Sequence, residues 1–328
     1  MNEEYINGTF EVTPVAVAGT ARIAAANGIF LVTYVRLTPD VTVFSKKVDT
    51  ASFTSVGQET TVIVLDPDFD FLSAGSSGFF YSAVSGSDVS VMRTTTGSSW
   101  TALGTSAITT ATSNPIASTV DSSGNYLLVY HTSETDLACA LSSQGTSALQ
   151  VKGTPLATGL NIAVAAGPSG VFMILASDTG DLSYSISQDA AVTWGASQLL
   201  VDTSFVYDNS TVGLIKTTNR WVAVVLAENG KDITSYSTKV ALPGPTDWKN
   251  ASQIKSTATL GYRAPFFQGT GGEGYMIATT DTLSNDVYVR PCYDAVVLTQ
   301  APTSNSNADT RSMLVSMAML VSVALLSA

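Results

Sequence analysis

An aspartate followed by a branched apolar residue recurs six times along this 328-residue chain, each time after two short apolar strands joined by a turn. The aspartates are Asp40, Asp88, Asp136, Asp181, Asp232 and Asp286, and their spacings are 48, 48, 45, 51 and 54 residues. One four-stranded propeller blade has about that length, roughly 40–50 residues, and the helical period of about 3.6 residues is absent. The turn between the two strands repeats as well, at Asn27-Gly28, Ser77-Gly78, Ser123-Gly124, Ser169-Gly170 and Glu273-Gly274, with Asn219-Arg220 as the exception. Glycine tolerates the positive φ of a tight hairpin, and the aromatic or aliphatic residues that follow fill space between blades. Strands such as Phe30–Val35 and Val171–Ala176 are almost wholly apolar, as expected where both faces are covered. The pattern predicts an all-β, six-bladed propeller over residues 1–302. A strand at Thr9–Val15 pairing with one at Ala295–Gln300 would close the ring and remove exposed edges.

Composition narrows the function classes. Hydrophobic residues make up 45% and charged residues 12%, a balance suited to many short buried strands. The net charge of -11, with no basic run longer than Lys46-Lys47, excludes nucleic acid as a partner. Two cysteines, Cys139 and Cys292, and one histidine, His131, leave too few residues for a zinc site, a haem site, a disulfide framework or Ser-His-Asp chemistry. No cofactor and no metal are expected. Cys139 and Cys292 fall in blades three and six, too far apart on a ring to form a disulfide.

The C-terminal residues lead to an expectation of display outside the cell. Residues 313–328 form an apolar tail without a charge, after a polar spacer at 303–312 with small residues near Ser304 and Asn305. This resembles a glycosylphosphatidylinositol attachment signal, the alternatives being a C-terminal membrane anchor or a core helix. Membrane contact is expected only through this tail or a lipid attached there. The start, MNEEYINGTF, lacks a signal peptide, which conflicts with a surface destination unless the start is truncated or export is unconventional. Three sequons, at Asn7, Asn209 and Asn250, are compatible with secretion.

The most specific motif is Ser187-Gln188-Asp189-Ala190-Ala191-Val192-Thr193-Trp194. It resembles the Asp-box S-x-D-x-G-x-T-W of the sialidase-like superfamily, with Ala191 in place of the glycine. Degenerate copies are read at Arg93–Trp100, at Lys46–Phe53 and before Trp248. The box has a structural role: Asp and Thr satisfy turn amides while Trp packs between strands. The resemblance implies a sialidase-type propeller, and its active-site residues have to be matched one at a time. Arg22, in Ala21-Arg22-Ile23-Ala24, matches the first arginine of the family's carboxylate clamp, although Ala24 replaces the proline. Arg36 resembles a further family arginine. Asp40 lies near the acid/base aspartate, but the same aspartate recurs in all six blades, which is a structural reading of it. Tyr262, in Gly261-Tyr262-Arg263-Ala264-Pro265, resembles the nucleophilic tyrosine. Where the family has its glutamate, this chain reads Ala163-Val164-Ala165-Ala166-Gly167, and Asp181-Leu182-Ser183 stands where an arginine begins a third strand. Glu228 and Arg220 are the residues available as substitutes, with Arg263 beside Tyr262.

The resemblance thus implies either a surface-displayed propeller that binds sialylated or other glycans, or a surface protein, through a degenerate site, or an active exo-sialidase or trans-sialidase. Without a positioned glutamate a tyrosine hydroxyl stays protonated near neutral pH, and without paired guanidinium groups a carboxylate lacks its bidentate clamp. Other residues have plainer readings. His131 is expected as a solvated loop residue ending a strand. Asp66, Asp68 and Asp70 are expected in a turn, solvated, with Ca²⁺ ligation as the alternative.

Overall fold

The computed structural model describes residues 22–26, 29–36, 40–49, 55–104, 108–110, 114–155, 159–177, 181–202, 211–217, 219–226, 232–255, 266–268, 275–280 and 287–292. Among these the strands form six antiparallel sheets, each running in chain order. Sheet one holds β1 (Arg22–Ala26), β2 (Ile29–Arg36), β3 (Thr42–Asp49) and β4 (Ser55–Val64). Sheet two holds β5 (Phe69–Gly75), β6 (Gly78–Ser85), β7 (Asp88–Thr94) and β8 (Thr101–Leu103). Sheet three holds β9 (Ala117–Val120), β10 (Tyr126–His131), β11 (Leu137–Ser142) and β12 (Gln150–Val151). Sheet four holds β13 (Asn161–Ala166), β14 (Phe172–Ser177), β15 (Asp181–Ser187) and β16 (Gln198–Asp202). Sheet five holds β17 (Thr211–Lys216), β18 (Trp221–Leu226), β19 (Asp232–Thr238) and β20 (Lys249–Lys255). Sheet six holds β21 (Phe266–Gln268), β22 (Tyr275–Thr280) and β23 (Val287–Cys292). Five of the six repeated aspartates map onto one place: Asp88, Asp181 and Asp232 open third strands, Asp40 and Asp136 stand just before them, and Asp286 lies outside the described residues.

The first strand of each sheet touches the first strand of the next, β1 with β5, then β9, β13, β17 and β21 in order. Between successive sheets lie the cores. Alternation along each strand sends one set of side chains to each face, so a sheet stacked on both sides is apolar on both. In sheet one Ala24, Leu31, Val35 and Val43 meet Leu72, Phe79, Tyr81 and Ala83 of sheet two. The opposite face of sheet two, with Phe80, Val84 and Val91, meets Tyr126, Leu128 and Tyr130 of sheet three. Sheets three and four join through Leu127, Val129, Phe172 and Ile174. Met173, Leu175 and Tyr184 of sheet four meet Leu214, Trp221 and Ala223 of sheet five. The unbroken apolar runs in the sequence are therefore strands with two buried faces.

Turns carry the repeat as much as strands do. The hairpin glycines Gly78, Gly124 and Gly170 all have positive φ, at 118°, 82° and 77°. At the far end of the third strand a hydroxyl residue pairs with an aromatic: Thr94 with Phe79, Ser142 with Tyr126, Ser187 with Phe172 and Thr238 with Trp221. The Ser187–Trp194 turn is closed from this position. Ser187 Oγ accepts from the Ala191 amide at 2.9 Å, while Asp189 accepts from the Thr193 amide at 2.8 Å and its hydroxyl at 2.6 Å. Those Thr193 bonds hold the Asp189 carboxyl below its ordinary range. In sheet two the equivalent turn begins at Thr94, whose Oγ1 accepts from Gly97 N at 2.9 Å, and not at Arg93, the start expected from the sequence. Arg93 instead donates to Ser77 O at 2.9 Å. The tryptophans wedge back onto the preceding sheet: Trp100 Nε1 donates to Ser45 Oγ at 2.9 Å, and Trp248 packs edge-on against Tyr184 at 5.5 Å between ring centroids. Among the described residues no helix is long and apolar enough to cross a membrane. The proposed closing strands, the spacer at 303–312 and the tail at 313–328 lie outside the described residues.

Candidate functional site

The end of sheet one at which β1 begins and β2 finishes gathers three of the sequence-selected residues, Arg22, Arg36 and Asp40. Arg22 opens β1 opposite Thr33, and so projects from the face that meets sheet two. There its Nη2 lies 2.9 Å from Asp70 Oδ1, and its Nε donates to the Asp70 carbonyl at 3.3 Å. Asp70 is the second residue of β5, only 6% exposed, and it also accepts from the Tyr81 hydroxyl at 3.2 Å. Burial, reinforced by the Asp70 charge, holds the Tyr81 hydroxyl far above its ordinary pKa. An ionised carboxylate at such depth requires a cation and further donors, and Arg22 with Tyr81 supplies both.

Arg36 leaves the other face. It shares that face with Tyr34 and Phe44, lies 4.4 Å above the Phe44 ring, and pairs with Glu59 of β4 at 2.8 Å. Tyr34 donates its hydroxyl to the same Glu59 carboxylate, and burial with that neighbour raises its pKa well out of the physiological range. Arg22 and Arg36 thus project from opposite faces and hold different carboxylates. Asp40 is exposed in the β2–β3 turn, where its carbonyl accepts from Thr42 Oγ1 at 3.2 Å. Arg220 sits in the β17–β18 turn, closed by the Thr217 amide donating to Arg220 O at 2.9 Å. That is a first-to-second strand turn, at the opposite end of a sheet from the second-to-third strand turn that carries Asp40. Tyr262, Arg263 and Glu228 lie outside the described residues.

Glu59 and Tyr81 carry no motif signal in the sequence. Asp70 had been read with Asp66 and Asp68 as a solvated turn, but it belongs to a strand and is buried. Asp66 and Asp68 are exposed just before β5, as expected of a solvated turn, and Asp68 also accepts from the Gly86 amide at 2.8 Å. Among the described residues no cluster of His, Cys, Asp and Glu is placed to hold a metal ion. A signal for Asp70 existed: Phe69-Asp70-Phe71-Leu72 is a strand-like run, and Asp70 stands 48 residues after Arg22, one repeat on. Between sheets two and three the buried polar contacts are hydroxyls, Ser118 with Ser73 at 3.0 Å and Tyr126 with Ser82. His131 also corrects its sequence reading. It does end β10, but it is fully buried, and burial lowers its pKa to about 4. Cys139 is buried in sheet three, donating to Gly153 O at 2.9 Å, with its thiol pushed up to about 12 by burial. It is no nucleophile in that state.

No protein-family model matches the chain, and no curated protein sequence does. Solved structures do match. A triple arginine-to-alanine mutant of AofleA from Arthrobotrys oligospora is 13% identical with a TM-score of 0.57, over 85% of this chain and 84% of that one. NanB with Optactamide is 8% identical with a TM-score of 0.57, over 88% of this chain and 69% of that one. A fucose-specific lectin from Aleuria aurantia is 14% identical over 85% of this chain and 97% of that one, with a TM-score of 0.49. At these identities the likeness is one of fold, an all-β propeller-like arrangement of antiparallel sheets.

Proposed function

We propose that the six sheets are the blades of a sialidase-like propeller, displayed at the cell surface, that binds glycans or a protein partner through a site no longer able to hydrolyse a sialoside. The observation that carries this reading is the state of the two arginines at the end of sheet one. A carboxylate clamp needs guanidinium groups that converge and are open to the ligand. Arg22 is instead paired with Asp70 and Arg36 with Glu59, on opposite faces. The buried tyrosines beside them, Tyr81 and Tyr34, stay protonated and supply no nucleophile. The Ser187–Trp194 turn, hydrogen-bonded as an Asp-box would be, supports the superfamily resemblance without implying catalysis. Surface display rests on the apolar tail at 313–328 and its spacer.

The test is turnover of a fluorogenic sialoside by the full chain, beside binding to an immobilised glycoprotein. Binding without release is expected. Release of sialic acid that Tyr262→Phe abolishes would establish the opposite reading, an exo-sialidase or trans-sialidase with Tyr262 as nucleophile, Asp40 as acid/base and Glu228 assisting.

A further inference from the structure

The Arg22–Asp70 pair presents an unusual balance at the end of the sheets. The Arg22 side chain is 31% exposed while the Asp70 side chain is 3% exposed, so the arginine reaches solvent while the carboxylate paired with it is buried. Both Asp70 carboxylate oxygens are engaged from within the protein, Oδ1 by Arg22 and Oδ2 by Tyr81. An incoming carboxylate would have to compete for Arg22 against a neighbour that is already desolvated, aligned and bonded, and would approach a second negative charge. The exposed Asp40 at the same end of sheet one and the overall charge of -11 add to that repulsion. A neutral sugar brings no charge to this end of the sheets and meets no such repulsion.

From this we infer that Asp70 occupies, from inside the chain, the place at Arg22 that a ligand carboxylate would take, so that this end of the propeller selects neutral glycans over sialylated ones. The inference rests on the reading of the chain as a glycan-binding propeller and names the ligand class for it. Asp70 is a specificity determinant here: its charge sets what Arg22 will accept.

The experiment compares binding of the full chain to one N-glycosylated glycoprotein before and after enzymatic removal of sialic acid. The desialylated form is expected to bind at least about tenfold more tightly, and Asp70→Asn, which removes the carboxylate charge beside Arg22, is expected to shrink that ratio at least about fivefold. Asp40→Asn removes one exposed charge at the same end and is expected to change the ratio less than about twofold. Tighter wild-type binding to the sialylated form, or a ratio unmoved by Asp70→Asn in folded protein, overturns the inference while glycan binding itself stands. Absence of binding to either form overturns the glycan reading and the inference with it. The wild-type comparison needs no variant, so a folding defect in Asp70→Asn leaves the proposal refutable.

Discussion

His131 shows how a single side chain can be misread when only its neighbours in sequence are seen. It precedes the polar run Thr132-Ser133-Glu134-Thr135, which suggests a solvated loop. What buries it comes from elsewhere: Thr110 Oγ1 donates to His131 O at 2.9 Å and Asn114 Nδ2 to Ser133 O at 3.2 Å, bringing Thr110 and Asn114 against this end of the strand. The consequence is a pH dependence with a definite sign. Because the folded pKa is about 4, below the ordinary value of 6.5, the unfolded chain binds more protons between those limits. This contribution to stability is fully present above the ordinary value and is lost as the pH falls toward the folded one, by somewhat over ~3 kcal/mol (about 1.36 per unit) at most. Urea unfolding at a series of pH values checks it, with His131→Leu expected to flatten the change in that window. A second contrast concerns two glycines with positive φ. A Cβ on Gly78 would lie 2.4 Å from the Thr94 carbonyl oxygen, while one on Gly86 meets nothing within 4 Å. Gly78→Ala is expected to cost about 2 kcal/mol or more and Gly86→Ala about 1 kcal/mol, read from unfolding midpoints.

The turns that end third strands explain why the sheets keep a common register. Ser187 is fully buried and closes its turn by accepting from Ala191 N, so Ser187→Ala leaves that buried amide without its acceptor. The expected cost is about 1–2 kcal/mol by chemical denaturation. Trp248, buried between sheets four and five, is expected to cost about 3 kcal/mol or more as Trp248→Ala, since its contact with Tyr184 is replaced by a cavity. The tryptophans were legible in the sequence because a large aromatic at a repeating place is rare. The phase of the sheet-two turn was not, because it is set by pairing: Thr94 stands opposite Phe79 as Ser187 stands opposite Phe172, one residue beyond where the glycine and tryptophan alone would align it. Ser142, Ser187 and Thr238 share that pairing, yet hydroxyl residues are too common in this chain for their recurrence to be seen without the register.

The whole molecule was most legible where repetition amplified a weak signal, and least where one sheet meets the next. Six aspartates at similar spacing gave the sheets, since each repeat had to supply the same strands and turns. Arg22 and Asp70, 48 residues apart, become neighbours only when sheets one and two stack, and no motif within one sheet contains both. The same assembly fixes the electrostatics. A chain with a net charge of -11 repels a polyanionic partner at distances set by the Debye length, about 10 Å in 0.1 M salt, and the two arginine–carboxylate pairs offset nothing beyond themselves. Screening therefore acts in opposite directions for two kinds of receptor. One that captures sialic acid with exposed, convergent arginines associates more slowly as salt rises, because attraction is screened. Here the repulsion is screened instead. The association rate with a sialylated glycoprotein is expected to rise severalfold between about 0.05 and 0.5 M salt, while the rate with its desialylated form stays within about twofold. Stopped-flow or surface-plasmon measurements across that range decide it. A rate with the sialylated ligand that falls as salt is added would mean that uncompensated cations guide the encounter, and that the paired state of Arg22 and Arg36 does not govern recognition.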